Sequence, residues 1–375
     1  MRRILYLSGT RADYGLMRRT LFSISRHSEL ELGIVVTGMH LDPLYGETVQ
    51  EIEGDGLRIA GRIATHFGSN ESFMARAIAA TINGCCEILE RERPDMLMLL
   101  GDRGEMLAGA IAALHLNIPI VHIHGGERSG TVDEPVRHAI SKLAHIHLTA
   151  TDDAAQRLVR MGERSDSVFC VGAPGLDGLE SEAIFSKKEL LEKSGIAEGI
   201  PIALMIFHPV VQNANDGPRQ VAEIISALRK GGFAIVGLRP NADFGGDAIR
   251  NLLDTESGSP DFKLYTHFPR QEFISWMAVA DVMIGNSSAG IIEAASFGTP
   301  VINVGSRQNL RERNANVLDS EADEVAILSA LDHILEVGRF PCNNIYGDGD
   351  SASRITDLLA NIDLPSSLLD KACAY

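Results

Sequence analysis

The sequence has little that would tie it to a membrane, a disulfide framework or nucleic acid. No stretch approaches the roughly 20 consecutive apolar residues of a membrane span. Behind Met1-Arg2-Arg3 the apolar run 4–7 is too short for the centre of a signal peptide, and the polar Ser8-Gly9-Thr10-Arg11 follows at once. A cytoplasmic protein without a membrane partner is expected. The 375 residues include only 5 cysteines. Cys85, Cys86, Cys170, Cys342 and Cys373 form no C-x-x-C pair and no framework spacing, so reduced, mostly buried thiols are expected. Positive charge is the scarcer sign: 34 Lys and Arg stand against 50 Asp and Glu, a formal net charge of -16. Nucleic-acid binding rests on clustered cations, so no nucleic-acid partner is expected. A protein of this charge that holds an anion must aim a few local cations at it. Single arginines and histidines in glycine-rich loops therefore carry information.

What is present is an ordinary soluble composition, 45% hydrophobic and 22% charged, at a length that suits two domains. Short β-rich apolar runs at 4–7, 32–37, 96–100, 118–122, 146–149 and 168–171 form one series. A second covers 202–207, 234–238, 263–266, 282–284 and 300–304. Helical patterns at 72–91, 105–115, 154–161, 222–230 and 290–297 lie between them. Continuous apolar strands alternating with helices imply parallel sheets covered on both faces. The cluster Gly172-Ala173-Pro174-Gly175 separates the two series and reads as a hinge. The expected fold class is α/β, with two doubly wound Rossmann-like domains and an interdomain cleft. The domains are 1–172 and 173–351, and a further helix begins near 352. Ligands of such sheets sit beyond the carboxyl ends of the strands.

Those ends carry the conspicuous residues. After the first strand comes Ser8-Gly9-Thr10-Arg11-Ala12-Asp13-Tyr14-Gly15, neither G-x-G-x-x-G nor a P-loop. It presents Arg11 as an anion clamp or as a plain surface arginine. Leu99-Leu100-Gly101-Asp102-Arg103-Gly104-Glu105 puts a carboxylate at a strand mouth, costly unless it is paired, with Arg103 a possible partner, or used. The densest cluster runs from His122-Ile123-His124-Gly125-Gly126-Glu127 to Asp133-Glu134-Pro135-Val136-Arg137-His138. His122 and His124, two apart, would share one face of the strand. Asp133 and Glu134 would open a helix. Carboxylates and histidines gathered at one sheet edge suit proton transfer, since neighbours push their pKa values apart. His-x-His beside carboxylates also fits a metal site, and the acids also fit helix capping.

In the second half, Phe207-His208-Pro209 and Leu238-Arg239-Pro240-Asn241 end strands at the same edge as Gly285-Asn286-Ser287-Ser288-Ala289-Gly290. Backbone N–H groups at that helix start, with the serine hydroxyls, can hold phosphate. Glu293, a turn further on, suits ribose hydroxyls. Ser288 as a simple cap is the alternative. Gly305-Ser306-Arg307 adds a cation after the next strand.

Taken together, these residues resemble the UDP-N-acetylglucosamine 2-epimerase family, its hydrolysing branch in particular. The carrying motifs are Gly9-Thr10-Arg11-Ala12-Asp13-Tyr14, Gly101-Asp102-Arg103, His122-Ile123-His124-Gly125-Gly126-Glu127 and Asp133-Glu134 with Arg137-His138. Asn286-Ser287-Ser288-Ala289-Gly290 with Glu293, and Gly298-Thr299-Pro300-Val301-Ile302-Asn303 with Arg307, complete them. Leu16 stands where the non-hydrolysing branch has lysine. His124 departs from the glutamate of many relatives, which brings Glu127 forward.

The resemblance implies a B-type glycosyltransferase-like fold, with a C-terminal helix at about 352–375 returning to the first domain and a UDP-linked sugar as ligand. His208, Asn241, Ser287, Ser288, Gly290, Glu293 and Arg307 would hold the nucleotide. Arg11 and Arg103 would face the pyrophosphate or sugar, and His40 and Arg137 the sugar. Asp102, His124, Glu127, Asp133 and Glu134 would sit at the chemistry, with Asp102 or Glu127 as base. The implied reaction converts UDP-N-acetylglucosamine to UDP and N-acetylmannosamine by elimination to 2-acetamidoglucal and rehydration, as in sialic-acid-type sugar synthesis. The same chemistry on a UDP-diacetamido-trideoxyhexose, or a glycosyltransferase of the same fold, are the alternatives. A non-catalytic nucleotide-sugar sensor would leave the carboxylates without a task. No cofactor or metal is expected, and a homodimer or homotetramer is.

Overall fold

The computed structural model describes residues 1–43, 46–65, 72–130, 133–241 and 245–374, without the side chains of 211, 212 and 214. Thr131 and Val132, which precede Asp133, lie outside the described residues. Two compact units emerge. Unit 1 comprises Met1–Glu127, Asp133–Asp177 and Tyr346–Tyr375, and unit 2 comprises Arg128–Val132 and Gly178–Ile345.

Unit 1 is built on a seven-stranded sheet of β1 (Arg2–Ser8), β2 (Leu30–Thr37), β3 (Ile59–Ile63), β4 (Met96–Leu100), β5 (Ile120–Ile123), β6 (Ile146–Thr149) and β7 (Val168–Cys170), ordered 3-2-1-4-5-6-7. Unit 2 has a six-stranded sheet of β8 (Ile202–Ile206), β9 (Ala234–Leu238), β10 (Phe262–Tyr265), β11 (Val282–Gly285), β12 (Val301–Val304) and β13 (Val317–Ser320), ordered 10-9-8-11-12-13. Every pairing is parallel. Both sheets are doubly wound, and the order reverses beside β1 in one and β8 in the other. The crevice for a ligand in such a sheet opens at that point, beyond the carboxyl ends.

The central strands are apolar throughout because helices cover both faces. Ile4 and Tyr6 enter one core with Ile34, Met96 and Met98, while Leu5 and Leu7 enter another with Val35, Leu97 and Leu99. The edges lack this pressure. β3 and β13, both at sheet edges, are only part-buried and carry Arg62 and Asp319. Neither reads as a strand from its apolar pattern, which is why the sequence shows eleven of the thirteen strands found among the described residues.

The cap of the first helix, Arg11–Arg26, is a reciprocal box: Thr10 accepts from the Asp13 amide and Asp13 accepts from the Thr10 amide. The helix Ser351–Asn361 packs Ile355 and Leu359, both fully buried, beside Tyr14, Met17, Leu21 and Ile24 of that first helix. Each such side chain contributes about 1.5–3 kcal/mol of burial. The 290–297 pattern resolves into a short helix, Ser288–Ile292, and a 3-10 turn, Ala294–Phe297. Gly285 ends β11 at φ +132, where a Cβ would lie 2.0 Å from the Ile206 carbonyl oxygen, so only glycine fits. Cys85 is buried and Cys86 half-buried, but Cys170, Cys342 and Cys373 are exposed, on an edge strand, a loop and the C-terminal tail. The expectation of mostly buried thiols fails there. Among the described residues, no helix is long and apolar enough to cross a membrane.

Candidate active site

At the end of β1 the organising group is Asp13. Its carboxylate accepts from the Gly9 amide at 2.9 Å, the Thr10 amide at 2.7 Å, the Tyr6 hydroxyl at 3.2 Å and the Ser8 hydroxyl. With its proton given to Asp13, Ser8 Oγ accepts from His40 Nε2 at 2.9 Å, and His40 Nδ1 accepts from the Thr48 hydroxyl at 2.8 Å. His40 is fully buried, and burial lowers its pKa. It is a neutral strut under the loop, with both ring nitrogens occupied, not a side chain open to a sugar. Arg11 Nε lies 2.6 Å from Glu51 Oε1, so the expected clamp is already partnered.

Beyond β4 and β5 four side chains form a chain of ion pairs and hydrogen bonds. Arg137 donates through Nη2 to Asp102 and through Nη1 to Glu127 Oε2 at 3.2 Å. Glu127 Oε1 bonds His124 Nδ1. Arg137 and Glu127 are 1% and 4% exposed, so this guanidinium faces two carboxylates in a low-dielectric setting. Arg137 was expected to face a sugar, but it aligns the acids instead. Asp102 takes Arg137 as its partner, while Arg103 forks onto Glu105 with two contacts of 3.2 Å.

The two histidines do not share a strand face. β5 ends at Ile123, and His124 turns to φ +61. His122 Nε2 donates to the Gly101 carbonyl at 2.7 Å, and its Nδ1 accepts from Ser141 at 3.0 Å. Burial pushes the His122 pKa down to about 3, so it stays neutral and structural. Among the described residues, no three His, Cys, Asp or Glu side chains are placed to hold a metal ion. Asp133 and Glu134 stand in the first turn of the helix Asp133–Leu143, and Glu134 Oε1 lies 3.8 Å from His138 Nε2.

In unit 2, Asn286 sews two strand ends together. Its Oδ1 accepts from the His208 amide at 2.7 Å and its Nδ2 donates to the His208 carbonyl at 2.9 Å. The Asn241 amide donates to His208 Nδ1 at 3.2 Å, which leaves the ring proton on Nε2. Arg307 Nη1 donates to the Asn286 carbonyl at 3.1 Å. Ser287, not Ser288, is the cap, accepting from the Ala289 amide at 3.4 Å. Gly290 allows the helix to sit on β12, since a Cβ there would lie 3.0 Å from Val301. Glu293 is buried and pairs with Arg270 at 2.9 Å, and Arg270 also holds Glu182 at 3.0 Å. The expected ribose acceptor is thus part of a buried pair. Arg239 turns to Asp254.

Asp13, Glu105, Arg270 and Asn286 are positioning groups that the sequence reading did not single out. Only Asp13 had a local signal, the Thr10-x-x-Asp13 capping spacing. Arg270 and Asn286 find their partners far away in sequence, while Glu105 pairs with Arg103 two positions before it.

Residues 23–360 match the family model described as UDP-N-acetylglucosamine 2-epimerase. The chain belongs to that family. It is 49% identical, over 100% of both chains, to the UDP-N,N'-diacetylbacillosamine 2-epimerase (hydrolyzing) of Legionella pneumophila. It is 36% identical, over 96% of both chains, to the UDP-N-acetylglucosamine 2-epimerase of Neisseria meningitidis serogroup B. The GDP/UDP-N,N'-diacetylbacillosamine 2-epimerase (hydrolyzing) of Campylobacter jejuni is 32% identical, over 86% of this chain and 85% of that one. A solved Neisseria meningitidis UDP-GlcNAc 2-epimerase bound to UDP-GlcNAc shares the fold, with a TM-score of 0.81 at 20% identity over 95% of this chain and 99% of that one. Two parallel-sheet Rossmann-like domains of the B-type glycosyltransferase-like class are therefore the architecture of this family member.

Proposed function

We propose that this chain is a hydrolysing 2-epimerase of UDP-N,N'-diacetylbacillosamine, a UDP-linked diacetamido-trideoxyhexose, releasing UDP and the free C2-inverted sugar. The observation that carries this reading is the 49% identity over the full length of both chains to the Legionella pneumophila enzyme of that name. The sequence alone puts UDP-N-acetylglucosamine first, and this likeness, with that to the Campylobacter jejuni enzyme, reverses the order. UDP-N-acetylglucosamine is the second reading, favoured by the 36% identical Neisseria meningitidis relative.

The chemistry is an elimination and a hydration. The C1–O bond breaks and its electron pair leaves on the UDP oxygen, while a base takes the C2 proton and the C1=C2 bond forms. Water then gives its oxygen to C1, and C2 receives a proton on the opposite face. Cations and N–H dipoles at the leaving pyrophosphate suit the first step. His208, Asn241, Ser287, Ser288 and Arg307 are the nucleotide-side groups, and Arg11 and Arg103 stand at strand ends on the sugar side. Proton transfers fall to the group Asp102, His124, Glu127, Asp133 and Glu134.

The test is proton NMR in D2O with EDTA, no acceptor and each UDP-sugar in turn. UDP and a free C2-inverted sugar carrying deuterium at C2, formed faster from the diacetamido substrate, is the expected result. Preference for UDP-N-acetylglucosamine would restore the second reading, and UDP release only with an acceptor sugar would indicate a transferase.

A further inference from the structure

His124 occupies a costly backbone position. A φ of +61 in a residue with a Cβ costs about 1 kcal/mol or more, and such residues persist where their surroundings hold them. Here the His124 amide donates to the Leu148 carbonyl at 2.9 Å, and the ring is fastened through Nδ1 to Glu127 Oε1. The other oxygen of Glu127 accepts from Arg137 at 3.2 Å. A buried carboxylate beside a permanently charged guanidinium is ionised and can only accept. The Glu127 contact therefore places the proton on His124 Nδ1 and the lone pair on Nε2. Among the described residues, His124 Nε2 makes no hydrogen bond.

The alternatives for a base on this edge are weaker. Asp102 and Glu127 are both already engaged as acceptors of Arg137. His122 has both ring nitrogens occupied. A neutral imidazole is also intrinsically a stronger base than a carboxylate.

We infer that His124 Nε2 is the base that takes the C2 proton in the elimination, and that Glu127 is a positioning residue that holds the Nδ1–H and fixes the tautomer. This rests on the functional reading above. In the step, the C2–H bond breaks, its electron pair forms C1=C2, the C1–O pair leaves with UDP, and the proton resides on Nε2 until it passes to solvent. The charged and titratable groups around the imidazole are Glu127 on its own loop, Arg137 from the helix Asp133–Leu143, Asp102 beyond β4 and neutral His122 on β5.

The experiment compares wild type, His124→Gln and Glu127→Gln on the substrate that the wild type turns over. UDP affinity by calorimetry reports an intact fold. His124→Gln is expected to lose at least about 100-fold in kcat with UDP affinity within about threefold, and to stop deuterium entry at C2. Glu127→Gln is expected to lose about 10-fold or more in kcat and to move the acidic limb of kcat/KM to lower pH, because the imidazolium loses a neighbouring anion. A purely structural lesion would lower the rate and leave the limb in place. His124→Gln keeping more than a tenth of wild-type kcat, or an unmoved limb in Glu127→Gln, overturns the assignment alone. Wild type releasing UDP from neither substrate overturns the functional reading and the assignment together.

Discussion

Arg137, in the helix Asp133–Leu143, and Glu127, ten positions before it, meet at 3.2 Å in the buried floor of unit 1. The same guanidinium reaches Asp102. One cation thus makes two neighbouring carboxylates compatible. Without it they would repel, and one would take up a proton. Arg137→Ala is expected to destabilise the fold by about 3 kcal/mol, the scale for removing one partner of a buried pair, and to lower turnover at least about 100-fold. Arg137→Lys should recover part of the stability and less of the activity, since an ammonium cannot serve both acids with a planar fork. Chemical denaturation and steady-state kinetics measure the two effects. Wild-type activity in Arg137→Ala would show that the pairing has no functional consequence.

Asp102 is the more accessible acid of that pair, with its side chain 22% exposed against 4% for Glu127. Asp102→Asn keeps the shape and removes the charge. Turnover is expected to fall at least about 100-fold while UDP affinity is kept. A near-normal rate would remove Asp102 from the proton-transfer group and leave it as a partner for Arg137.

The doubly wound sheets were legible because central strands such as Met96–Leu100 are apolar on both faces, a pattern that survives in one dimension. β3 and β13 were not, since an edge strand needs no continuous apolar run. The chemistry-bearing loops were found because they follow strands directly. Who pairs with whom was not. Asp102 was matched with adjacent Arg103, yet its partner lies 35 positions away in Arg137. His124 was placed on the strand face with His122 by a two-residue period that stops one residue too soon.

Asn286 is expected to matter for the nucleotide although no charge is involved. Its amide holds both the N–H and the carbonyl of His208, so it sets where β8 and β11 end relative to one another. Asn286→Ala leaves those two backbone groups without their partner, at about 1–3 kcal/mol for each that stays dry. UDP affinity should fall about tenfold or more by calorimetry. Asn286→Asp should be worse than its similar shape suggests, because a carboxylate oxygen would face the His208 carbonyl. Unchanged affinity in both variants would place the nucleotide away from this strand end.

Glu163 gives a pH-dependent prediction that is independent of the chemistry. Burial by itself would raise its carboxyl, but hydrogen bonds from His147, Lys142 and Lys371 outweigh burial and hold the pKa at about 2. His147 Nε2 lies 3.0 Å away, Lys142 2.7 Å and Lys371 2.6 Å, the last from the C-terminal tail. Lys371 also donates to the Ser141 carbonyl at 3.0 Å and to that of Ala144, at the end of the helix that carries Arg137. The folded pKa lies below the ordinary carboxyl value of 4.5, so this group stabilises the fold above that pH. The contribution drains away as pH falls from about 4.5 toward 2. Glu163→Gln should therefore cost about 3 kcal/mol at pH 7 by chemical denaturation, leaving Lys371 and Lys142 without their common anion. The gap between wild type and variant should narrow through that acid window, and a gap independent of pH would show that the charge of Glu163 is not what secures the tail.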